Sequence, residues 1–308
     1  MYAVSHVLGT CATSELEMAG GRMFVRIFVL TLALTVAGAA AAPAALRGQS
    51  FDREMFEVSD SFPYEVTVRR SAAVVGAGLG FTAVSRVLPM IQPRETAAEY
   101  GPERLDRKDV NRVDRYFMNP YDEFLQNAGH ATFFVTMLTP FPTILSREFG
   151  EIFQLGVMLG QTVLLSYGTK ETLLHFFPRF RPHAYYDDTP NRLQEDDGSR
   201  KSFFSGHSSH TFAVATFATI ITRDLYPESR ASLVVGGVGY GLAASVSAMR
   251  VAGGRHYLSD VVVGAAWGSL VGWAVPRIYR RDSGEDTLRV TPTVGEFGPG
   301  IMLRYRPR

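Results

Sequence analysis

The stretch Ser202–Thr222, SFFSGHSSHTFAVATFATIIT, holds no Lys, Arg, Asp or Glu and runs from a polar Ser-Gly-His opening into an apolar tract of helix length. Five further windows are equally free of charge: Ser71 to Ser85, Phe124 to Ser146, Ile152 to Thr169, Ala231 to Met249 and Val261 to Pro276. Each is long enough for a buried helix, and several approach the roughly 20 residues that cross a bilayer. Alternating strand patterns are scarce. The sequence predicts an all-α bundle of about six core helices, with chemistry-bearing residues gathered at helix ends.

Around that bundle the chain divides into four parts. Arg22 and Arg26, the apolar run Ile27 to Val36 and small residues Ala39 to Ala42 read as a secretory signal over residues 1–42, with Met23 as an alternative start. Residues 43–70 turn polar and read as an exposed lead-in segment, and 71–281 as the helical domain. Within it, Pro93 to Asp122 is rich in charge and reads as a surface loop with short helices. The tail, 282–308, breaks the helical habit. Val290, Thr291 and Val294, then Gly295 to Gly300, then Met302 to Tyr305 predict a short β-hairpin.

With 308 residues and 46% hydrophobic content the chain can bury a full core. Its 31 Lys and Arg against 30 Asp and Glu give a charge of +1, which removes the bulk-charge argument for a nucleic-acid partner. A single cysteine, Cys11, excludes an internal disulfide and a cysteine-based zinc cage. Mean hydropathy of +0.03 is high for a soluble protein and modest for one built mainly of membrane helices.

Three clusters lie between the apolar windows. Arg179 and Arg181, in Pro178-Arg-Phe-Arg-Pro-His183, offer two guanidinium forks suited to a phosphate-like anion, and serve equally well as a solvated basic turn at a helix end. Ser205, Gly206 and His207 open a helix whose N–H groups could hold anion oxygens while His207 exchanges a proton; the same residues would make an ordinary serine cap. In Arg250-Val-Ala-Gly-Gly-Arg-His-Tyr-Leu-Ser-Asp260, His256 and Asp260 are four apart. On a helix starting near Tyr257 they share a face, so the carboxylate can take the imidazole N–H and leave the other nitrogen nucleophilic. No His, Asp or Glu set has convincing metal spacing.

The ordered set Arg-Pro, Ser-Gly-His, Arg-x5-His-x3-Asp resembles the type 2 phosphatidic acid phosphatase and vanadium haloperoxidase superfamily over roughly Ile152 to Pro276. The resemblance implies a metal-independent phosphomonoesterase with no cofactor. His256 would attack phosphorus, Asp260 would fix its tautomer, and His207 would protonate the leaving oxygen. Arg181, Arg250, Ser205 and the Gly206 amide would hold the phosphate oxygens. Three positions depart from the pattern: Leu174 stands where the family has a lysine, Phe204 where it has a proline, and Met249 where it has a serine. Lys170, one turn before Leu174, Arg179 or Lys201 is the expected substitute cation. The substrate would be a phosphorylated lipid, isoprenoid or small molecule. Alternatives from other classes are a haloperoxidase holding vanadate in the same pocket and a non-catalytic phosphate- or lipid-binding protein.

If all six windows crossed a bilayer, the motifs would face the cytoplasm, against the export signal. At least one window should then not span, Ser71 to Ser85 or Phe124 to Ser146, or the domain is exported and soluble or peripheral. The sequence leans towards the exported, periplasmic, soluble or peripheral form, with an integral inner-membrane enzyme acting on lipid phosphates close behind.

Overall fold

A computed structural model describes residues 58–91, 96–101, 104–281, 288–295 and 298–305; the signal-like segment and most of the lead-in segment lie outside them. Six long helices carry the domain: α1 (Val68–Ile91), α2 (Glu123–Met137), α3 (Phe149–Phe176), α4 (Gly206–Leu225), α5 (Ala231–Ala252) and α6 (Leu258–Tyr279). Five of the charge-free windows form the bodies of single helices. Phe124 to Ser146 does not, because Pro140 and Pro142 lack the N–H a helix interior needs. There α2 stops at Met137, and a separate short helix, Phe141–Leu145, follows with a proline in its first turn.

Helix α4 is the centre of the bundle. It packs along both α5 and α6, while α1 lies on α3 and α2 on α5. Small residues make this possible: Ala213, Ala215 and Ala218 are fully buried, and Thr211, Thr219 and Thr222 return their hydroxyls to carbonyls one turn back, so no polar group is stranded. On α6, Gly264, Gly268 and Gly272 recur every four residues on one face. A Cβ at any of them would run into a backbone carbonyl of α4, at Ser205, Ser209 and Ala213 respectively. The two helices therefore meet backbone to backbone along three turns.

The end of the bundle remote from Ser205 is closed by residues 58–67. Phe62 and Tyr64 are buried against Ile221 and Val275, the Tyr64 hydroxyl donates to Asp224 at 3.0 Å, and the Glu65 amide donates to the Tyr279 carbonyl at 2.7 Å. This corrects the expectation of an exposed segment up to residue 70. Its polar average concealed two aromatic side chains that plug the bundle. Beyond α6, Leu288–Gly295 and Gly298–Tyr305 pair as an antiparallel hairpin with Gly295 opposite Gly298.

Helices α1, α3, α5 and α6 are long and apolar enough to cross a membrane. Their outward faces carry large apolar side chains, among them Val87 and Ile91 on α1, Leu233 and Val234 on α5, and Val262 and Trp273 on α6. Such a surface suits lipid better than water. Of the two windows suspected of not spanning, Ser71 to Ser85 is the middle of a 24-residue helix, whereas α2, with 15 residues, reaches only about 22 Å. These findings favour membrane association over the soluble form towards which the sequence leaned.

Candidate active site

The three clusters meet at one end of the bundle, where α3 ends and α4 and α6 begin. Ser205 caps α4, its hydroxyl oxygen accepting the Ser208 amide at 3.4 Å, and its own amide donates to the Asp260 carbonyl at 3.1 Å. One hydrogen bond thus ties the second cluster to the third. Behind the cap, the Ser208 hydroxyl lies 3.1 Å from Ser205 Oγ and 2.8 Å from Ser247 Oγ on α5.

His256 stands two residues ahead of α6 and is 3% exposed. Its Nδ1 lies 2.8 Å from the Ser202 carbonyl, which can only accept, so Nδ1 carries the proton. Nε2 is then the lone-pair nitrogen and accepts from Arg181 Nη1 at 3.2 Å. Arg181 is held by two carbonyls, Gly198 through Nε and Arg255 through Nη1, each at 2.8 Å. Burial holds His256 well below the usual imidazole range, and the positive charges of Arg181, Arg250, Arg255 and Lys170 press it further down. Burial and the neighbouring Arg255 likewise weaken the hold of Arg181 on its proton. One cation, Arg181, thus touches a neutral imidazole, and the charges of Arg250, Arg255 and Lys170 act on it from further off.

Asp260 differs from its expected role. Its Oδ2 is 3.6 Å from His256 Nδ1 and accepts instead from the Ser202 hydroxyl at 2.5 Å and the Tyr257 amide at 3.0 Å. The reason is that α6 begins at Leu258, so His256 lies outside the helix and the shared-face geometry does not apply. Asp260 fixes Ser202 by its hydroxyl, and Ser202 fixes His256 by its carbonyl.

Arg179 is also corrected as a phosphate ligand. Its Nη1 donates to Asp260 at 2.9 Å and to Ser259 at 2.9 Å, its Nη2 donates to Asp114 at 2.7 Å, and its guanidinium stacks 3.6 Å over Tyr257. Asp114, fully buried, also accepts the amide and hydroxyl of Ser259. Burial acts to raise the Asp114 carboxyl, but hydrogen bonds from Ser259 and Arg179 outweigh it and keep it below the usual range. Lys170 is placed differently. Its methylenes run against Gly206, where a Cβ would stand 3.2 Å from Cε, and its ammonium pairs with Glu171 at 2.7 Å. Leu174 itself is buried.

Sequence reasoning missed a further group. Arg250, 2% exposed, donates from Nη1 to Gln126 Oε1 on α2, and the same Nη1 lies 3.5 Å from His130 Nε2. The His130 ring stacks on His207, centroids 4.9 Å apart and planes 7° from parallel, with Phe133 at 5.0 Å on the same imidazole. The available signal was Gln126 and His130 one turn apart in a charge-free window. Among the described residues, no group of three or more His, Cys, Asp or Glu is arranged to hold a metal ion.

Two histidines and a set of cations gathered at the helix ends can hold an anion and exchange protons with it. Residues 153–283, running from the start of α3 to just past α6, match the family described as the PAP2 superfamily. A lipid A 4'-phosphatase from Porphyromonas gingivalis is 27% identical over 130 residues, covering 42% of this chain and 52% of that protein. The match thus spans about half the length of that relative. A transmembrane PAP2-type phosphatidylglycerolphosphate phosphatase from Bacillus subtilis, solved by crystallography, aligns over 66% of this chain and 94% of its own, with 19% identity and a TM-score of 0.38.

Proposed function

We propose that this chain is a membrane-associated phosphatase that hydrolyses a lipid phosphate monoester through a phosphohistidine. The observation that carries the reading is His256 itself, neutral, with Nδ1–H spent on Ser202 and the Nε2 lone pair facing Arg181. A dianionic phosphate held by Arg181, Arg250, Lys170, Ser205 and the Gly206 amide would set its phosphorus against that lone pair. His256 Nε2 forms the P–N bond as the P–O ester bond breaks, and protonated His207 gives its proton to the leaving alkoxide. Neutral His207 then takes a proton from water, whose oxygen attacks phosphorus. The P–N bond breaks, releasing phosphate and neutral His256. The guanidiniums stabilise charge as it spreads over the equatorial oxygens. Lipid is favoured as the substrate class because four helices are long and apolar enough to cross a membrane and because the lipid A 4'-phosphatase named above acts, by its name, on a lipid phosphate.

The test is phosphate release by the full chain in detergent with EDTA present, wild type beside His256→Ala, on a lipid phosphate monoester and on a soluble aryl phosphate. Wild type should act on the lipid and the variant on neither. Folded wild type inert on both substrates would overturn the reading.

A further inference from the structure

We propose that Gln126 and His130, on the helix that precedes the family-matched segment, are positioning residues for this site: they aim Arg250 and keep a neutral ring against His207. The inference rests on the phosphatase reading above. Its first step is donor logic. A guanidinium only donates, so the Gln126 oxygen faces Arg250 Nη1 and the amide nitrogen is left to face His130 Nε2, at 3.1 Å. Arg250 Nη1 approaches that nitrogen as well, at 3.5 Å. Two donors directed at Nε2 make it an acceptor. His130 therefore carries its proton on Nδ1, and a second proton at Nε2 would confront two N–H groups.

The second step is the stack. His207 must be protonated to serve a leaving oxygen, yet burial disfavours its charge, Arg250, His130, His256 and His210 all face it, and Lys170 packs on the adjacent Gly206. Each of these positive or protonatable groups opposes a charge on His207 when it carries one itself. Held neutral by the two donors on its Nε2, His130 instead offers a π face at 4.9 Å, whose quadrupole attracts a cation. His130 thus has two separable duties. Its Nε2 lone pair helps hold Arg250 in place for the anion, and its ring face helps His207 keep a proton.

Substitutions can separate the two. The experiment is the pH dependence of kcat and KM for the full chain in detergent on a lipid phosphate monoester. His130→Phe keeps a neutral ring and loses the acceptor, so its basic limb should stay at the wild-type position while KM rises several-fold. His130→Gln keeps an acceptor and loses the ring, so KM should stay near wild type while the basic limb moves down by about half a pH unit. Gln126→Leu should raise KM as His130→Phe does. A uniform loss of kcat in all variants, or no change in any, would sink the inference. Should the variants fail to fold, side-chain nitrogen NMR of wild type decides: every assignment that puts the His130 proton on Nε2 overturns it. Wild type without turnover at any pH would instead sink the phosphatase reading.

Discussion

Lys170 and Arg179, two of the cations expected to replace the family lysine, are made unequal by their neighbours, although both are long basic side chains near the same end of α3. Arg179 is fixed by Asp114, Ser259 and Asp260, so it supports the carboxylate that supports Ser202 and His256. Arg179→Met should lower the melting temperature and kcat together, because two buried carboxylates lose their partner. Lys170→Met should raise KM and leave the melting temperature near wild type, since its ion pair with Glu171 is partly exposed. Thermal melts and steady-state kinetics on the two variants check this contrast. His256 supplies the pH prediction. A lowered imidazole keeps its lone pair further into acid, so kcat/KM should fall only as pH drops well below the ordinary value of about 6.5. His183, which burial pushes down to about 3, follows the same sign for stability. The unfolded chain binds protons that folded His183 and His256 refuse, so denaturation midpoints should decline as pH falls below about 6.5. The Arg-Pro, Ser-Gly-His and Arg-x5-His-x3-Asp clusters were legible because such chemistry needs fixed residue types at fixed spacing. Asp114 and His130 were not, because the partners that tie them to the site, Arg179 and Ser259 for Asp114 and Arg250 and His207 for His130, lie more than 60 residues away in sequence.

At the scale of elements, the relation between His207 and His256 is set by how α4 meets α6. Gly264, Gly268 and Gly272 let the backbones touch, and the Ser205–Asp260 hydrogen bond sits at the top of that seam. Gly268→Ala should cost about 1–3 kcal/mol through overpacking and should cut kcat, because the helix that follows His256 is pushed from the helix that starts at Gly206. Chemical denaturation alongside kinetics would measure both effects. Gly76→Ala on α1, where nothing lies within 4 Å of the added methyl, is the control: it should leave kcat unchanged and, if anything, raise stability by up to about 1 kcal/mol. Helix existence was readable from the charge-free windows, since excluding charge is what a buried or lipid-facing helix requires. The break at Pro140 was readable too. The start of α6 near Tyr257 was readable to within one residue, but His256 lies ahead of it, outside the helix, and Asp260 turns to Ser202 and Tyr257 instead.

For the whole molecule, the decisive property is the apolar exterior of α1, α5 and α6 around a polar, hydroxyl-rich α4. Val87, Leu233, Val234 and Trp273 have no water-compatible partner outside the bundle, so the full chain should stay with membranes through an alkaline carbonate wash and need detergent for extraction. Recovery in the wash supernatant would contradict this. Composition alone left the matter open because α4 and residues 58–67 dilute the apolar average, and only the fold shows which side chains face outward. The convergence of Arg181, Arg250, Arg255 and Lys170 on His256 has a further consequence. A cluster of that charge gains as much from inorganic phosphate as from the ester that precedes it. In the proposed reaction, once the alcohol has left and water has cleared the phosphohistidine, the ion that remains would be small, doubly charged and well matched to the forks around it. Departure of the product, rather than cleavage of the ester, would then set the pace of turnover, and orthophosphate would act as a competitive inhibitor.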